Sequence, residues 1–181
     1  MTDDGRVVFL DRDGVITVPT IREGKGYAPR TWQDFTVYDD VAEALEQLNS
    51  HGFRLVIATN QPDLGANEID PRVLAGMHDF LMDEFPIAYV HVCGHTRGAG
   101  CGCRKPLPGM LQAENAREAV SFERSWMVGD RDSDIDAGRA AGCRTIFVDR
   151  GWSGEGGEKA DYVVAGLSAA ATMILTSIPA K

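Results

Sequence analysis

Short apolar runs alternate with stretches of helical periodicity along most of this chain. The apolar runs predict strands at 6–10, 53–58, 87–92, 125–128, 145–148 and 162–164. The periodic stretches predict helices at 40–51, 70–84, 108–119 and 134–141, and a terminal helix after 166. Strand–helix alternation is typical of parallel strands joined by right-handed crossovers, with helices on both faces of the sheet. We therefore predict an α/β fold with a central parallel sheet.

Polar side chains follow the predicted strands at the points where those strands end. In chain order they are Asp11, Asp13, Thr59, Asn60, Lys105 and Asp130. Sheets of this kind bind ligands at the carboxyl ends of their strands. We therefore expect these side chains to meet at one edge of the sheet, and this convergence is the strongest functional signal in the sequence.

Asp11 and Asp13 flank Arg12 directly after the first apolar run. Two carboxylates placed so closely cannot both be buried cheaply without a cation. Mg²⁺ could bind one carboxylate and a nearby backbone carbonyl. Asp11 could then attack phosphorus, while Asp13 protonates the leaving oxygen and later deprotonates water. Taken alone, an acidic turn after a strand is an equally good interpretation.

A second acidic segment, Gly-Asp-Arg-Asp-Ser-Asp at 129–134, follows the fourth predicted strand. Asp130 could complete the metal shell, with Asp134 one helical turn further on. The alternative is a set of acids that cap the next helix, a role expected for Asp132 or Ser133 in either case.

Thr59, Asn60 and Gln61 offer hydroxyl and amide groups suited to phosphate oxygens, and Arg104 and Lys105 supply positive charge. We interpret these five residues as candidate substrate contacts. Each signal is weak alone, since an Arg-Lys pair usually lies on a solvated surface.

Three cysteines and a histidine form the pattern C-x-H-x5-C-x-C at 93–103: Cys93, His95, Cys101 and Cys103. Three thiolates and an imidazole make a closed tetrahedral set, which is typical of structural Zn²⁺. The alternative is three unrelated thiols and a surface histidine. We predict a zinc loop that orders the segment leading to Arg104 and Lys105.

Cys143 and the remaining histidines fall outside this cluster. Cys143 precedes an apolar run and is expected to be a buried thiol. No partner is visible in the sequence for His51, His78 or His91, which we expect to be structural or exposed.

Together, the Asp-Arg-Asp-Gly segment, the Thr-Asn pair, the lysine and the second acidic segment resemble the four motifs of the haloacid dehalogenase-like superfamily. The resemblance spans residues 7 to about 148. It implies a three-layer α/β/α Rossmann-like fold without a large cap domain, and phosphatase activity. By resemblance, Asp11 is the nucleophile and Asp13 the general acid and base. Thr59 and Lys105 contact phosphate, and Asp11, the Asp13 carbonyl and Asp130 bind Mg²⁺.

The zinc loop followed by Cys-Arg-Lys-Pro is similar to the branch of heptose bisphosphate and histidinol-phosphate phosphatases. Segments 10–16, 26–27, 108–111 and 127–130 favour the heptose enzymes. The five-residue gap inside the zinc motif is closer to the histidinol-phosphate type, and segments 17–27 and 62–65 depart from the heptose pattern. For a bisphosphate, Arg104 and Arg131 are candidate contacts of the unreacted phosphate, and Arg22 or Lys25 could close over it.

Length and composition agree with a single domain over 1–181 that acts on a small phosphorylated metabolite. A net charge of −9 argues against nucleic acid or an anionic membrane as partner. No apolar stretch approaches about 18 residues, and no signal peptide is visible. We expect a cytoplasmic monomer, with a surface loop at 151–157. Two alternatives remain open: an inactive phosphate-binding module, and phosphotransfer to an acceptor other than water.

Overall fold

The computed structural model describes residues 4–22, 24–151 and 156–177. Its strands are β1 (Val7–Leu10), β2 (Thr20–Arg22), β3 (Lys25–Tyr27), β4 (Arg54–Asn60), β5 (Ile87–Cys93), β6 (Trp126–Gly129), β7 (Arg144–Val148) and β8 (Tyr162–Val164). Its helices are α1 (Val41–Ser50), α2 (Pro62–Gly65), α3 (Pro71–Glu84), α4 (Gly109–Arg117), α5 (Asp132–Ala141) and α6 (Leu167–Thr176). All six predicted strands and all five predicted helices are confirmed within a few residues.

The main sheet contains six strands in the order β5-β4-β1-β6-β7-β8, and every neighbouring pair is parallel. The strand β1 lies near the middle and is fully buried, which explains why its sequence is apolar at every position. The order changes direction on either side of β1, because the chain moves to β4 and β5 first and to β6, β7 and β8 afterwards. This is the point at which a doubly wound sheet opens a crevice for ligands.

Helices cover both faces of this sheet, as predicted. One apolar cluster joins the sheet to α1 and α6, through Leu45 and Ala170. The other joins it to α4 and to the chain after α5, through Leu111 and Cys143. The three-layer α/β/α arrangement is therefore confirmed, and Cys143 is buried as expected.

The helices begin where local chemistry supports them, with one difference from expectation. The Asp70 carboxylate accepts a hydrogen bond from the Arg72 backbone N–H at 2.8 Å, which caps α3 ahead of Pro71. The prediction that Asp132 or Ser133 caps α5 is wrong: the N-cap residue is Arg131, and the Asp134 carboxylate accepts its backbone N–H at 3.1 Å.

The segment between β1 and α1 contains an antiparallel hairpin of β2 and β3 that the sequence pattern did not predict. In the described part of the chain this hairpin is the largest structure inserted after β1, so no cap domain covers the sheet edge. Most of the predicted surface loop at 151–157 lies outside the described residues. No helix in the described ranges is both long and apolar enough to span a bilayer.

Candidate active site

The end of β1 places Asp11 beside Lys105, which follows the zinc loop in the chain. Lys105 Nζ lies 2.9 Å from Asp11 Oδ1 and 2.6 Å from Asp134 Oδ1, and it donates to the Ala58 carbonyl at 2.6 Å. Burial alone would lower the pKa of this lysine, but the charges of Asp11 and Asp134 raise it above its usual value. Lys105 is therefore a fixed cation at the floor of the site.

Asp11, Asp130 and Asp134 form an acidic cluster at this edge. One carboxylate oxygen from each lies within 4.8 Å of the others, and all three residues are buried. Neither oxygen of Asp130 has a hydrogen-bond donor in the described part of the chain. Burial and the charges of Asp11 and Asp134 raise the pKa of Asp130 well above its usual value. Burial and the charge of Asp11 raise the pKa of Asp134 to about 6, against the lowering effect of Lys105. Such a cluster fits a divalent cation, which would relieve both the repulsion and the missing donors.

Gly14 allows the chain to pass directly against Asp130. Its φ of +100° is in the left-handed region, and a Cβ built there would overlap the Asp130 carboxylate. The glycine after the two aspartates is thus required both by the turn and by the space that the third carboxylate occupies.

The Asp13 carboxylate is surrounded by hydrogen-bond donors. It accepts two from the Arg12 guanidinium at 3.0 and 3.1 Å, one from Thr17 Oγ1 at 2.8 Å and one from Gln61 Nε2 at 2.7 Å. Burial alone would raise the pKa of Asp13, but these groups lower it below its usual value. The side chain is held at the wall of the cavity in a single, well-supported position.

The Thr59-Asn60-Gln61 segment lies at the end of β4. Its side chains mainly hold other residues of the site in place rather than line the cavity. The Gln61 amide donates to both Asp13 and the Thr59 hydroxyl, and Gln61 and Thr59 are almost fully buried. The Asn60 side chain donates to the Lys105 carbonyl and accepts the Lys105 N–H, each at 3.1 Å. Of the three, only Asn60 is among the residues that line the main cavity in the described ranges. Their predicted contacts with substrate remain predictions.

A cavity of about 400 Å³ opens above these groups, bounded by the hairpin, α2 and the end of the zinc loop. Asp11, Asp13, Lys105, Arg104 and Arg131 all line it. A second cavity of about 380 Å³ shares part of this wall and extends along the hairpin. The predicted residues therefore converge at one edge, although Thr59, Gln61 and Arg22 line neither cavity within the described residues.

Arg131 connects the second acidic segment to the hairpin. Its guanidinium donates to the backbone carbonyl of Gly26 at 2.7 Å. Because Gly26 and Arg131 line both cavities, this hydrogen bond fixes the hairpin at the entrance to the site.

The four predicted zinc ligands come together at the end of β5. Cys93 Sγ lies 3.6 Å from His95 Nδ1, 3.7 Å from Cys101 Sγ and 3.3 Å from Cys103 Sγ, and Cys103 Sγ lies 3.3 Å from His95 Nδ1. Ligands about 2.3 Å from a tetrahedral Zn²⁺ are about 3.8 Å apart. The donor set and its spacing therefore fit zinc. The loop passes directly into Arg104 and Lys105, as expected.

Two contributors to the site were missed in the sequence. Asp134 was noted one helical turn after Asp130 but was not assigned as a ligand, and it completes the acidic cluster. His78, for which the sequence shows no partner, lies 2.9 Å from an Arg12 guanidinium nitrogen. The two are 66 positions apart in the chain, so no local pattern could have paired them.

Comparisons with known proteins agree with this geometry. Residues 102–170 match the HAD-hydrolase-like family. The chain is 31% identical over 150 residues to the D-glycero-beta-D-manno-heptose-1,7-bisphosphate 7-phosphatase of Pseudomonas aeruginosa, covering 80% of this chain and 82% of that protein. It is 29% identical over 134 residues to the histidine biosynthesis bifunctional protein HisB of Legionella pneumophila, covering 71% of this chain and 37% of that protein.

A solved structure supports the same relationship. The D,D-heptose 1.7-bisphosphate phosphatase of B. bronchiseptica, complexed with magnesium and phosphate, superposes with a TM-score of 0.81 at 27% identity, covering 96% of this chain and 99% of that chain. Sequence relationship, sheet order and the acidic cluster thus agree, and the chain belongs to the phosphatases of the haloacid dehalogenase-like superfamily, in the branch that includes the heptose bisphosphate phosphatases.

Proposed function

We propose that this protein removes the 7-phosphate of D-glycero-D-manno-heptose 1,7-bisphosphate through a phosphorylated aspartate at Asp11. The observation that supports this most is the convergence of Asp11, Asp13 and Lys105 on one cavity, at the ligand-binding edge of a parallel sheet. The choice of heptose bisphosphate as the substrate follows the names of the similar phosphatases.

Asp11 is arranged to use one particular oxygen as the nucleophile. Its Oδ1 accepts from the Arg12 backbone N–H at 2.8 Å and contacts Lys105, whereas no donor to Oδ2 is found among the described residues. Oδ2 would attack phosphorus as the bond from phosphorus to the substrate oxygen breaks. Asp13 is ionised in the free protein, and the negative charge of a bound phosphate would favour its protonation. Asp13 would then give that proton to the leaving oxygen and take a proton from the water that releases phosphate and restores Asp11.

Asp11, Asp130 and Asp134 are the side chains that would hold Mg²⁺, together with the Asp13 carbonyl implied by the family resemblance. When bound, the ion supplies positive charge against the anionic substrate and the carboxylates. Asp130 supports this assignment because both its buried oxygens lack donors in the described chain. Lys105 would add a second, permanent positive charge.

Cys93, His95, Cys101 and Cys103 would hold Zn²⁺ in a structural role, because all four tetrahedral positions are filled by protein. The Asn60–Lys105 backbone contacts fix the far end of this loop to the sheet. Loss of zinc would therefore disturb Lys105 indirectly. Free thiols of this kind are compatible with a reducing compartment such as the cytoplasm.

A bisphosphate is favoured by the cations around the two cavities. In a protein with a net charge of −9, Lys25, Arg97, Arg104 and Arg131 form no ion pair with a carboxylate among the described residues. Arg104 Nη1 is buried there without a hydrogen-bond partner. Most other arginines of known position pair with acids or with backbone carbonyls, so Lys25, Arg97 and Arg104 are available for a second anionic group. Arg131, which also donates to the Gly26 carbonyl, lines the same cavity as Arg97 and Arg104.

The deciding measurement is phosphate release in the presence of Mg²⁺ from the heptose bisphosphate and, separately, from histidinol phosphate. We expect a strong preference for the heptose and no activity in Asp11→Asn. A preference for histidinol phosphate would instead support the function suggested by the zinc-loop spacing. Activity that survives in Asp11→Asn would contradict the proposed chemistry, and phosphate binding without turnover in the wild type would favour an inactive binding module.

A second experiment addresses the unreacted phosphate. Arg97→Ala and Arg104→Ala should raise the KM for the bisphosphate more than for a heptose monophosphate, because only the bisphosphate presents the second anion. Arg72→Ala, at the exposed start of α3, is the matched control. Equal effects on both substrates would assign these arginines to the reacting phosphate instead.

A further inference from the structure

Arg12 has the least exposed charged side chain of the site. It is 0% exposed, and it is not among the described residues that line the main cavity. A buried guanidinium is costly unless its N–H groups are paired. The hydrogen-bond acceptors around Arg12 therefore determine the position of its guanidinium group.

Its guanidinium is divided between two partners. Nε and Nη2 donate to the two oxygens of Asp13, while Nη1 donates to His78 Nε2 at 2.9 Å. The Asp13 contact is a bidentate fork, which fixes both the distance and the plane of the carboxylate. His78 is the third point that orients this fork.

His78 is suited to accept a hydrogen bond from a cation. It is buried in the middle of α3, on the same face as Leu74, Met77 and Leu81. Burial and the nearby Arg12 charge lower the pKa of His78 to about 4, so the imidazole is neutral and Nε2 can accept. Since α3 is packed and capped, the position of this acceptor is set by the helix.

We propose that His78 is a positioning residue for Asp13 and acts through Arg12. The proposal rests on the role of Asp13 as general acid and base given above. Without an acceptor at position 78, one guanidinium N–H is left unpaired in the interior, and Arg12 turns to satisfy it. Asp13 then loses the bidentate contact that orients its carboxyl group toward the leaving oxygen.

This role differs from a purely structural one in its dependence on the leaving group. Protonation by Asp13 matters most when the departing alcohol is a poor leaving group, so 4-nitrophenyl phosphate needs it less than phenyl phosphate does. The two esters have nearly the same shape, and kcat/KM reports the step in which the ester bond breaks. A misplaced Asp13 should therefore slow phenyl phosphate selectively.

The test compares His78→Leu with His78→Gln, whose amide oxygen can still accept from Arg12. We expect His78→Leu to lower kcat/KM about tenfold or more for phenyl phosphate but less than about threefold for 4-nitrophenyl phosphate. His78→Gln should restore most of the loss. His91→Leu is the matched control, since it removes a half-buried histidine that bonds Glu114 outside the active site. If His78→Leu does not fold, His78→Asn, whose side chain is too short to reach Arg12, replaces it.

Equal losses for both esters, or no loss, would overturn the positioning role. Asp13→Asn, measured in parallel, keeps this result separate from the proposed function. If Asp13→Asn itself shows no selective loss of phenyl phosphate, the assignment of Asp13 as general acid fails. If Asp13→Asn shows the selective loss and His78→Leu does not, only the role of His78 fails.

Discussion

The Lys105 ammonium lies 2.9 Å from the Asp11 carboxylate, and both groups are almost fully enclosed. Lys105 also contacts Asp134, so one cation balances two members of the acidic cluster. Removing one partner of a buried ion pair leaves an uncompensated charge, which is more damaging than never having had the pair.

Lys105→Met should therefore affect both activity and stability. We expect a fall of about 100-fold or more in phosphate release, since a fixed charge at the reacting group is lost. In the absence of Mg²⁺ the free energy of unfolding should fall by about 3 kcal/mol. Lys159→Met, at an exposed pair with Asp136, should change neither in urea unfolding and activity assays. A Lys105→Met protein as stable as the wild type in chelator would contradict this account.

Gly14→Ala tests the close approach of the turn to Asp130. The new methyl group would push the Asp130 carboxylate out of the cluster, so Mg²⁺ affinity and activity should fall together. Gly24→Ala is a useful control, because Gly24 also has a positive φ (+71°) but no atom lies within 4 Å of its built Cβ. Isothermal titration with Mg²⁺ measures the difference. Similar losses in both variants would mean that backbone strain, rather than the overlap, is responsible.

Asp130→Asn should separate stability from metal binding. Burial and the charges of Asp11 and Asp134 raise the pKa of Asp130, so a neutral side chain should raise the melting temperature in chelator. The further increase that Mg²⁺ produces in the wild type should largely disappear, because stabilisation by a ligand follows its affinity. Asp136→Asn, which changes a partly exposed acid in the following helix α5, is the control. A variant that melts lower in chelator and still responds fully to Mg²⁺ would exclude this role.

Glu114, on α4 outside the active site, provides a pH-dependent contribution to stability. This buried carboxylate pairs with Arg54, His91 and Arg117. Burial alone would raise its pKa, but these partners lower it below the usual value of 4.5. Glu114 therefore contributes its full stabilisation of the folded state at pH values above 4.5. This stabilisation is lost as the pH falls through the lower pKa that Glu114 has in the folded protein.

Glu114→Gln should lower the free energy of unfolding at neutral pH by about 3 kcal/mol and weaken its decline in acid. Urea unfolding at several pH values measures both effects. Glu118→Gln, which changes a partly exposed acid beside the same arginines, should have a much smaller effect. Parallel acid profiles for the wild type and Glu114→Gln would show that another group controls the decline.

Cys103→Ser tests the zinc loop directly. We expect the zinc content of the purified protein to fall and activity to fall with it, since the loop leads into Lys105. Cys143→Ser should retain zinc, because Cys143 lies in the apolar cluster under β6 and burial raises the pKa of its thiol to about 12. Full activity in a zinc-free Cys103→Ser protein would show that the loop does not support the site.

The sheet, its helices and the convergence of polar residues could be predicted because each depends on local pattern. Apolar runs such as Val7–Leu10 become central strands, and the carboxyl ends of parallel strands necessarily share an edge. The zinc ligands were equally visible, since their donors lie within eleven consecutive positions.

The remaining features depend on contacts between distant parts of the chain. The hairpin strands β2 and β3 are mostly exposed, and their sequences lack the apolar alternation that marks a strand. The sequence gives no sign that Glu114 is buried, because its partners Arg54 and His91 are 60 and 23 positions away in the chain. The Arg12–His78 contact likewise requires that α3 lie across the end of β1.

Arg131 holds the hairpin by the main-chain carbonyl of Gly26 rather than by any side chain. Every amino acid carries that carbonyl, so mutations in the hairpin need not weaken the attachment. The residues that face an incoming substrate can therefore diverge among descendants of this gene while the entrance keeps its shape. New substrate preferences could arise there by single exchanges, without any compensating change in the phosphoryl-transfer machinery.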